Sequence, residues 1–273
     1  MKPTELRRFF RTPGSGDDAA QGLQSAARLL WSRRGDPELA RVYQGHAWSV
    51  PLQLFARPLA AAPRWLSSSG RYRHSDQRPT VYLPFLESEP WWPADDFTRR
   101  LEAEHAVIRE EFGRIEHELR RHPQKWLVEA GDWHTFNLYR HGERYERHCA
   151  LCPRTAEIVA SMPVCTEAGG MAYFSIMDPG THVLAHNGFT NTRIRYHLGV
   201  EAEPGARFRV SDETREWETG RAFAFDDSFE HEVHHTGDAR RVVLLVDCWH
   251  PALSTAERAL VRDLLRALEL PQR

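Results

Sequence analysis

The chain has 273 residues, a length that supports one sizeable core or one core with a smaller appendage. Its 36 basic and 38 acidic residues leave a formal charge of −2, which gives no general field for nucleic acid or an anionic membrane. Lys2 and Lys125 are the only lysines, so a GxxxxGK phosphate loop is excluded and Lys125 is the one candidate for Schiff-base chemistry.

At the N-terminus, "MKPTELRRFF RTPGSGDDAA" has no apolar signal core. No apolar run reaches the roughly 20 residues of a membrane helix. Four cysteines in a chain this long do not resemble a disulfide framework. A soluble protein of a reducing cytoplasm is expected. Ala19 to Trp31 reads as a short helix. The stretch from Val42 to Pro79 is Trp- and Pro-rich, then polar, and its polar part reads as a linker. The expected division is therefore an N-terminal helical region with linker over residues 1–80 and a main domain over 81–273.

From Asp95 to His122, Phe97, Leu101, Ile108, Phe112, Ile115 and Leu119 recur at steps that predict one apolar helical face. Cys149 and Cys152 form a lone CxxC, open to redox or zinc use or to plain burial. Short β-rich runs bounded by turn residues follow: Ala172–Met177, Thr192–Val200, Arg207–Val210, Arg221–Phe225, Glu232–Thr236 and Arg241–Trp249. A closing helix starts at Ser254, where Ser254 and Glu257 form a capping box, and Leu260, Val261, Leu264, Leu265 and Leu268 line its apolar side. The expected fold is mainly β with flanking helices: a double-stranded β-helix of the jelly-roll, cupin-like kind, plus the N-terminal helical region.

Several polar residues sit inside these strands. "TRIRYHLGV" puts Ile194, Tyr196 and Leu198 on one face and Arg193, Arg195 and His197 on the other. "YFSIM" puts Tyr173, Ser175 and Met177 on one face. Arg241 leads an otherwise apolar strand, and His231 follows an apolar strand and an acidic turn. Singly, each reads as a solvated or structural residue. Together they suggest a pocket, because neutral imidazoles bind iron and arginines clamp carboxylates by paired charge-assisted hydrogen bonds.

The segments "GDWHTFNLYRHG", "SIMDPGTHVLAHNGFTNTRIRYHLGV", "WETGRAFAFDDSFEHEV" and "VVLLVDCWHP" occur in one order between Gly131 and Pro251. In that order they resemble the aspartyl/asparaginyl β-hydroxylases, oxygenases dependent on iron(II) and 2-oxoglutarate. The resemblance implies that iron(II) is held by His186 and His231, with Gly188 standing where related oxygenases carry a carboxylate ligand. It implies that Trp133, Ser175, Arg195, His197 and Arg241 bind the co-substrate 2-oxoglutarate, with Arg241 and Ser175 at its distal carboxylate. Asp227 matches an acidic residue that can hold a metal-bound water. Arg193, one strand period from Arg195, is expected at the substrate. The implied reaction uses O2 to hydroxylate the β-carbon of an Asp, Asn or similar acidic residue in a peptide, carrier-bound amino acid or small molecule. Such a substrate carries a carboxylate or carboxamide; neither nucleic acid nor membrane is an expected partner. A radical halogenase on the same fold, and a non-catalytic cupin-like module that binds metal or 2-oxoglutarate, are the alternatives.

Overall fold

The computed structural model describes residues 72–268, apart from 80–81, 84–85 and 165–168. The expected helix at Ala19–Trp31 and most of the expected linker lie outside the described residues. The end of that linker does not behave as one. Over residues 72–79 the chain packs on the domain, because the fully buried Gln77 side-chain amide donates to Ser88 Oγ, Asp226 Oδ2 and Ser228 Oγ at 3.0, 3.2 and 2.9 Å.

Thirteen strands are described. They are β1 (Trp91–Trp92), β2 (Arg120–Arg121), β3 (Val128–Ala130), β4 (Trp133–Arg140), β5 (Glu143–Arg144), β6 (Met171–Met177) and β7 (His182–His186), followed by β8 (Arg193–Glu201), β9 (Ala206–Val210), β10 (Glu213–Glu216), β11 (Ala222–Phe225), β12 (His231–His235) and β13 (Arg241–Trp249). They form two antiparallel sheets. The larger runs β1-β11-β8-β13-β6-β4-β2, with β5 beside β4, and the smaller runs β10-β9-β12-β7-β3. The six expected strands are all present, with bounds shifted by one residue at most and those of β13 unchanged.

The large sheet is buried on both faces. On one face Phe136, Phe174, Ile194, Leu198 and Leu244 meet Leu101, Ile108, Phe112 and Ile115 from the helical layer. On the other, Met177, Phe225 and Val243 meet Val183, Phe208 and Val233 of the small sheet. Each such side chain contributes about 1.5–3 kcal/mol by leaving water. The alternation of β8 thus sends Arg193, Arg195 and His197 into the space between sheets rather than into solvent.

The expected single helix over 95–122 is two helices, Asp96–Ala103 and His105–Ile115, followed by a 3-10 turn at Glu116–Glu118 and then β2. Asp95 and Thr98 form a capping box at its start. The break falls at Glu104, whose carboxylate pairs with Arg154 at 2.9 Å, next to His105, whose ring is held by the Val200 carbonyl. The closing helix runs Thr255–Leu268 with the expected Ser254–Glu257 capping box. The CxxC pair belongs to the core beneath the helices. Both thiols are buried, Cys149 and Cys152 reach only backbone carbonyls, and burial pushes Cys152 up to about 12. Lys125 is exposed, which removes the desolvation that activates a Schiff-base lysine.

Candidate active site

Simple alternation along β7 would put His182, Leu184 and His186 on one face. The ladder with β12 breaks that pattern. His231 pairs with His186 and Val233 with Val183, so Leu184 and Ala185 together oppose the single residue Glu232. This bulge turns His186 to the inner face with Val183 and brings its ring to 4.2 Å from that of His231. Each ring is oriented by its own strand. His186 Nδ1 lies 2.7 Å from the Leu184 carbonyl and His231 Nδ1 lies 2.8 Å from that of Phe229. A carbonyl only accepts, so Nδ1 carries the proton and both Nε2 lone pairs remain free. Burial lowers both pKa values, which keeps the rings neutral and ready to ligate. The pair joins no three-donor group with any other described His, Cys, Asp or Glu.

The place of a third ligand on residue 188 is filled. A Cβ on Gly188 would lie 2.4 Å from Asp227 Cγ and Oδ2, and the Gly188 N–H donates to the Asp227 carbonyl at 2.6 Å. The Asp227 carboxylate in turn accepts from Arg193 Nη2 at 2.9 Å and pairs with Arg195 Nη1 at 3.1 Å. Asp247 completes the network, accepting from Arg195 Nε at 2.7 Å and lying 3.5 Å from Arg193 Nη1. Burial alone would raise the Asp227 carboxyl, but the two guanidiniums outweigh it and hold it ionised. Two buried arginines are therefore matched by two buried aspartates, so Arg193, expected at the substrate, already has its counter-charge in the protein. Gly188→Ala should push the Asp227 carboxylate off its partners and destabilise the protein by about 1–3 kcal/mol, the scale of an overpacked core. Chemical denaturation measures this.

Arg241 is different. It is 2% exposed, and among the described residues no carboxylate pairs with it. Its Nη2 donates to Ser175 Oγ at 2.9 Å, its guanidinium lies 4.5 Å from the Trp217 ring, and its Nε has no partner. Burial depresses its pKa to about 9. Ser175 Oγ also accepts from Trp133 Nε1 at 2.9 Å, so both lone pairs are engaged and its own proton can be donated. His197 Nδ1 accepts from Trp217 Nε1 at 3.1 Å, which leaves a proton on Nε2, again buried and without a partner. Arg241 Nε, the Ser175 hydroxyl proton and His197 Nε2–H thus lack an acceptor among the described residues, and they lie together, because Arg241 bonds Ser175 and shares the Trp217 ring with His197. Orphaned buried donors cost about 1–3 kcal/mol each, and an anion with several acceptor oxygens is what they fit. The donor set suits a carboxylate, and the neutral His186 and His231 imidazoles suit a metal ion, so these residues fit iron and 2-oxoglutarate.

Sequence reasoning missed three neighbours. Asp247 was legible in principle, since a carboxylate inside the apolar run "VVLLVDCW" requires a buried cation. Trp217, under Arg241 and against His197, gave no signal. His122 stacks on Trp133 with ring centroids 3.5 Å apart and planes within 4°. Burial, with Arg140, Arg195 and His186 nearby, lowers His122 to about 3.

The buried imidazoles set a pH dependence. His122, His197 and His231 have folded pKa values below the unfolded value near 6.5, burial being the largest cause in each. Their contribution to stability is complete above about pH 6.5 and is lost as pH falls. Asp226, raised to about 7 by burial, acts in the opposite sense and offsets part of this. The net expectation is a lower urea midpoint at pH 5 than at pH 7.5.

The family model for Aspartyl/Asparaginyl beta-hydroxylase matches residues 102–251, beginning well before the motif-bearing segment at Gly131. Human "Aspartyl/asparaginyl beta-hydroxylase" is 35% identical over 199 residues, which covers 69% of this chain and 26% of that protein. Mouse "Aspartate beta-hydroxylase domain-containing protein 2" is 36% identical over 265 residues, 88% of this chain and 76% of that one. A solved prolyl-4-hydroxylase from Pseudomonas putida aligns with 60% of this chain and 94% of its own at 12% identity and a TM-score of 0.36. The chain spans about a quarter of the human relative's length. No described helix is long and apolar enough to cross a membrane. With a family match over more than half its length and a relative of which it covers three quarters, the chain belongs to the aspartyl/asparaginyl beta-hydroxylase family.

Proposed function

We propose that this chain is an iron(II)- and 2-oxoglutarate-dependent hydroxylase that acts on the β-carbon of an Asp, Asn or similar residue in a peptide, carrier-bound amino acid or small molecule. The observation that carries the reading is a buried Arg241 with no carboxylate partner among the described residues, together with two adjacent imidazoles whose Nε2 atoms are free. Iron(II), 2-oxoglutarate and O2 together supply the oxidising power for C–H hydroxylation, releasing succinate and carbon dioxide. The protein's part is orientation. His186 and His231 hold the metal through Nε2, while Arg241, Ser175 and His197 offer N–H and O–H donors to the co-substrate. Trp133 fixes the Ser175 hydroxyl by donating to it.

Asp227 and Asp247 keep Arg193 and Arg195 ionised and aimed. A carboxylate or carboxamide on the substrate would meet Arg193 as an additional acceptor, not as its sole counter-charge. Asp227 is a positioning residue that restrains the Gly188 turn and both arginines.

The test is incubation with iron(II), ascorbate and labelled 2-oxoglutarate, reading labelled succinate. His186→Ala and His231→Ala should each abolish both turnover and iron(II) binding at the inner histidine pair. Turnover that survives in either variant would refute the ligand assignment.

A further inference from the structure

The bulge that turns His186 inward leaves His182 on the outer face of the small sheet, directly opposite His234. Their rings stack with centroids 3.8 Å apart. His182 Nε2 and His234 Nε2 both lie 2.9 Å from the same atom, Glu232 Oε1. All three donor atoms fall within 4.8 Å of one another, and no other group of three does so among the described residues.

The surroundings prepare these atoms further. Glu129 Oε2 lies 2.6 Å from His182 Nδ1, which assigns that nitrogen its proton and turns Nε2 towards Glu232. Arg209 Nη2 donates to Glu232 Oε2 at 3.0 Å, so Oε1 is the oxygen left for the two histidines. A carboxylate that orients a histidine through its second nitrogen is the usual support of a metal-bound imidazole. Glu232 and His234 also line a concavity of ≈ 680 Å³ with Arg207, Arg209, Thr214 and Thr236, so these two donors border open space.

We propose that His182, Glu232 and His234 bind a divalent transition-metal ion such as zinc, at a site separate from His186 and His231. In a tetrahedral zinc site with bonds of about 2.0–2.1 Å, neighbouring ligand atoms sit about 3.3 Å apart. Opening the two 2.9 Å contacts by a few tenths of an ångström makes that room. The ion takes the place of the two ring protons that now face one carboxylate oxygen, and these leave to solvent. Softness favours this assignment: two imidazoles and one carboxylate suit zinc over calcium or magnesium, which prefer oxygen donors. The ion would tie β7 to β12 on the outside of the sheet, across the bulge whose inner side carries His186 and His231. The rival account is an ordinary cluster of ion pairs.

The experiment is calorimetric titration of the metal-free full chain with zinc(II), alongside His234→Ala, Glu232→Gln, Glu129→Gln and His231→Ala variants, each checked for folding by circular dichroism. The wild type should bind one equivalent that His234→Ala and Glu232→Gln lose and His231→Ala retains. Glu129→Gln, an exposed change that keeps the fold, should weaken that equivalent by about 10- to 100-fold. An inner equivalent lost only in His231→Ala reports on the hydroxylase reading, so the two ideas fail separately. Zinc binding that is the same in His234→Ala and Glu232→Gln as in the wild type, or absent from the wild type, overturns the proposal.

Discussion

Replacing Arg241 with methionine is expected to weaken 2-oxoglutarate binding by a factor on the order of 30 or more, while leaving the ligand-free protein at least as stable as the wild type. The two effects have one cause. Among the described residues the buried Arg241 has no carboxylate partner and its Nε has no hydrogen bond, and burial has already drawn its pKa down to about 9. A guanidinium in that state is a cost to the empty protein. Binding an anion converts the cost into a desolvated charge pair, and removing one member of such a pair loses roughly 2–5 kcal/mol. Methionine preserves most of the volume and its thioether can stay against Trp217. Ser175 still accepts from Trp133. Thermal unfolding with and without 2-oxoglutarate reads both quantities: the ligand-induced rise in Tm should vanish, and the ligand-free Tm should not fall. A large fall in the ligand-free Tm would mean that Arg241 is a structural residue.

Asp247→Asn has the opposite character. Asp247 is fully buried, accepts from both Arg195 Nε and Nη2 and from the Met171 backbone N–H, and lies 3.5 Å from Arg193. Neutralising it leaves two guanidiniums sharing Asp227 alone in the space between the sheets. Breaking a buried pair in this way costs about 3–5 kcal/mol, which for a domain of this size lowers Tm by about 6–20 °C. The companion variant Arg195→Met with Asp247→Leu removes a matched pair, and replacement of buried ion pairs by apolar groups is often neutral or stabilising. It should therefore recover much of the lost stability. If Asp247→Asn is as stable as the wild type, the network does not carry the energy assigned to it.

The contrast between these residues explains what the sequence made legible. Strand β13 was visible as a nearly unbroken apolar run, and β8 because its polar and apolar residues alternate cleanly. By the same logic β10, "ETRE", is exposed and polar and left no periodic trace. Placing Arg193 and Arg195 on one face was a matter of parity along β8 and needed no structure. Their charge partners lie on β13 and in the turn after β11, brought together by register, and parity within one strand says nothing about them. The bulge in β7 is the sharpest case. Alternation would have kept His186 on the outer face with His182, and only the pairing of His231 with His186 reveals the extra residue that turns it inward. The outer pair of His182 and His234 was invisible for the same reason. The CxxC, conspicuous in the sequence, is a pair of buried core thiols whose spacing fits the end of one short helix and the start of the next.

On the proposed function, the space between the sheets would hold a metal on two histidines and a dicarboxylate on Arg241. A crystal structure of the protein with manganese(II) and 2-oxoglutarate, grown without oxygen, tests it most directly. One inner metal should be bonded to Nε2 of His186 and of His231 and to no other side chain. The far carboxylate of 2-oxoglutarate should lie on Arg241 and the Ser175 hydroxyl. A carboxylate oxygen of Asp227 bonded to that metal, or 2-oxoglutarate bound away from Arg241, would contradict it.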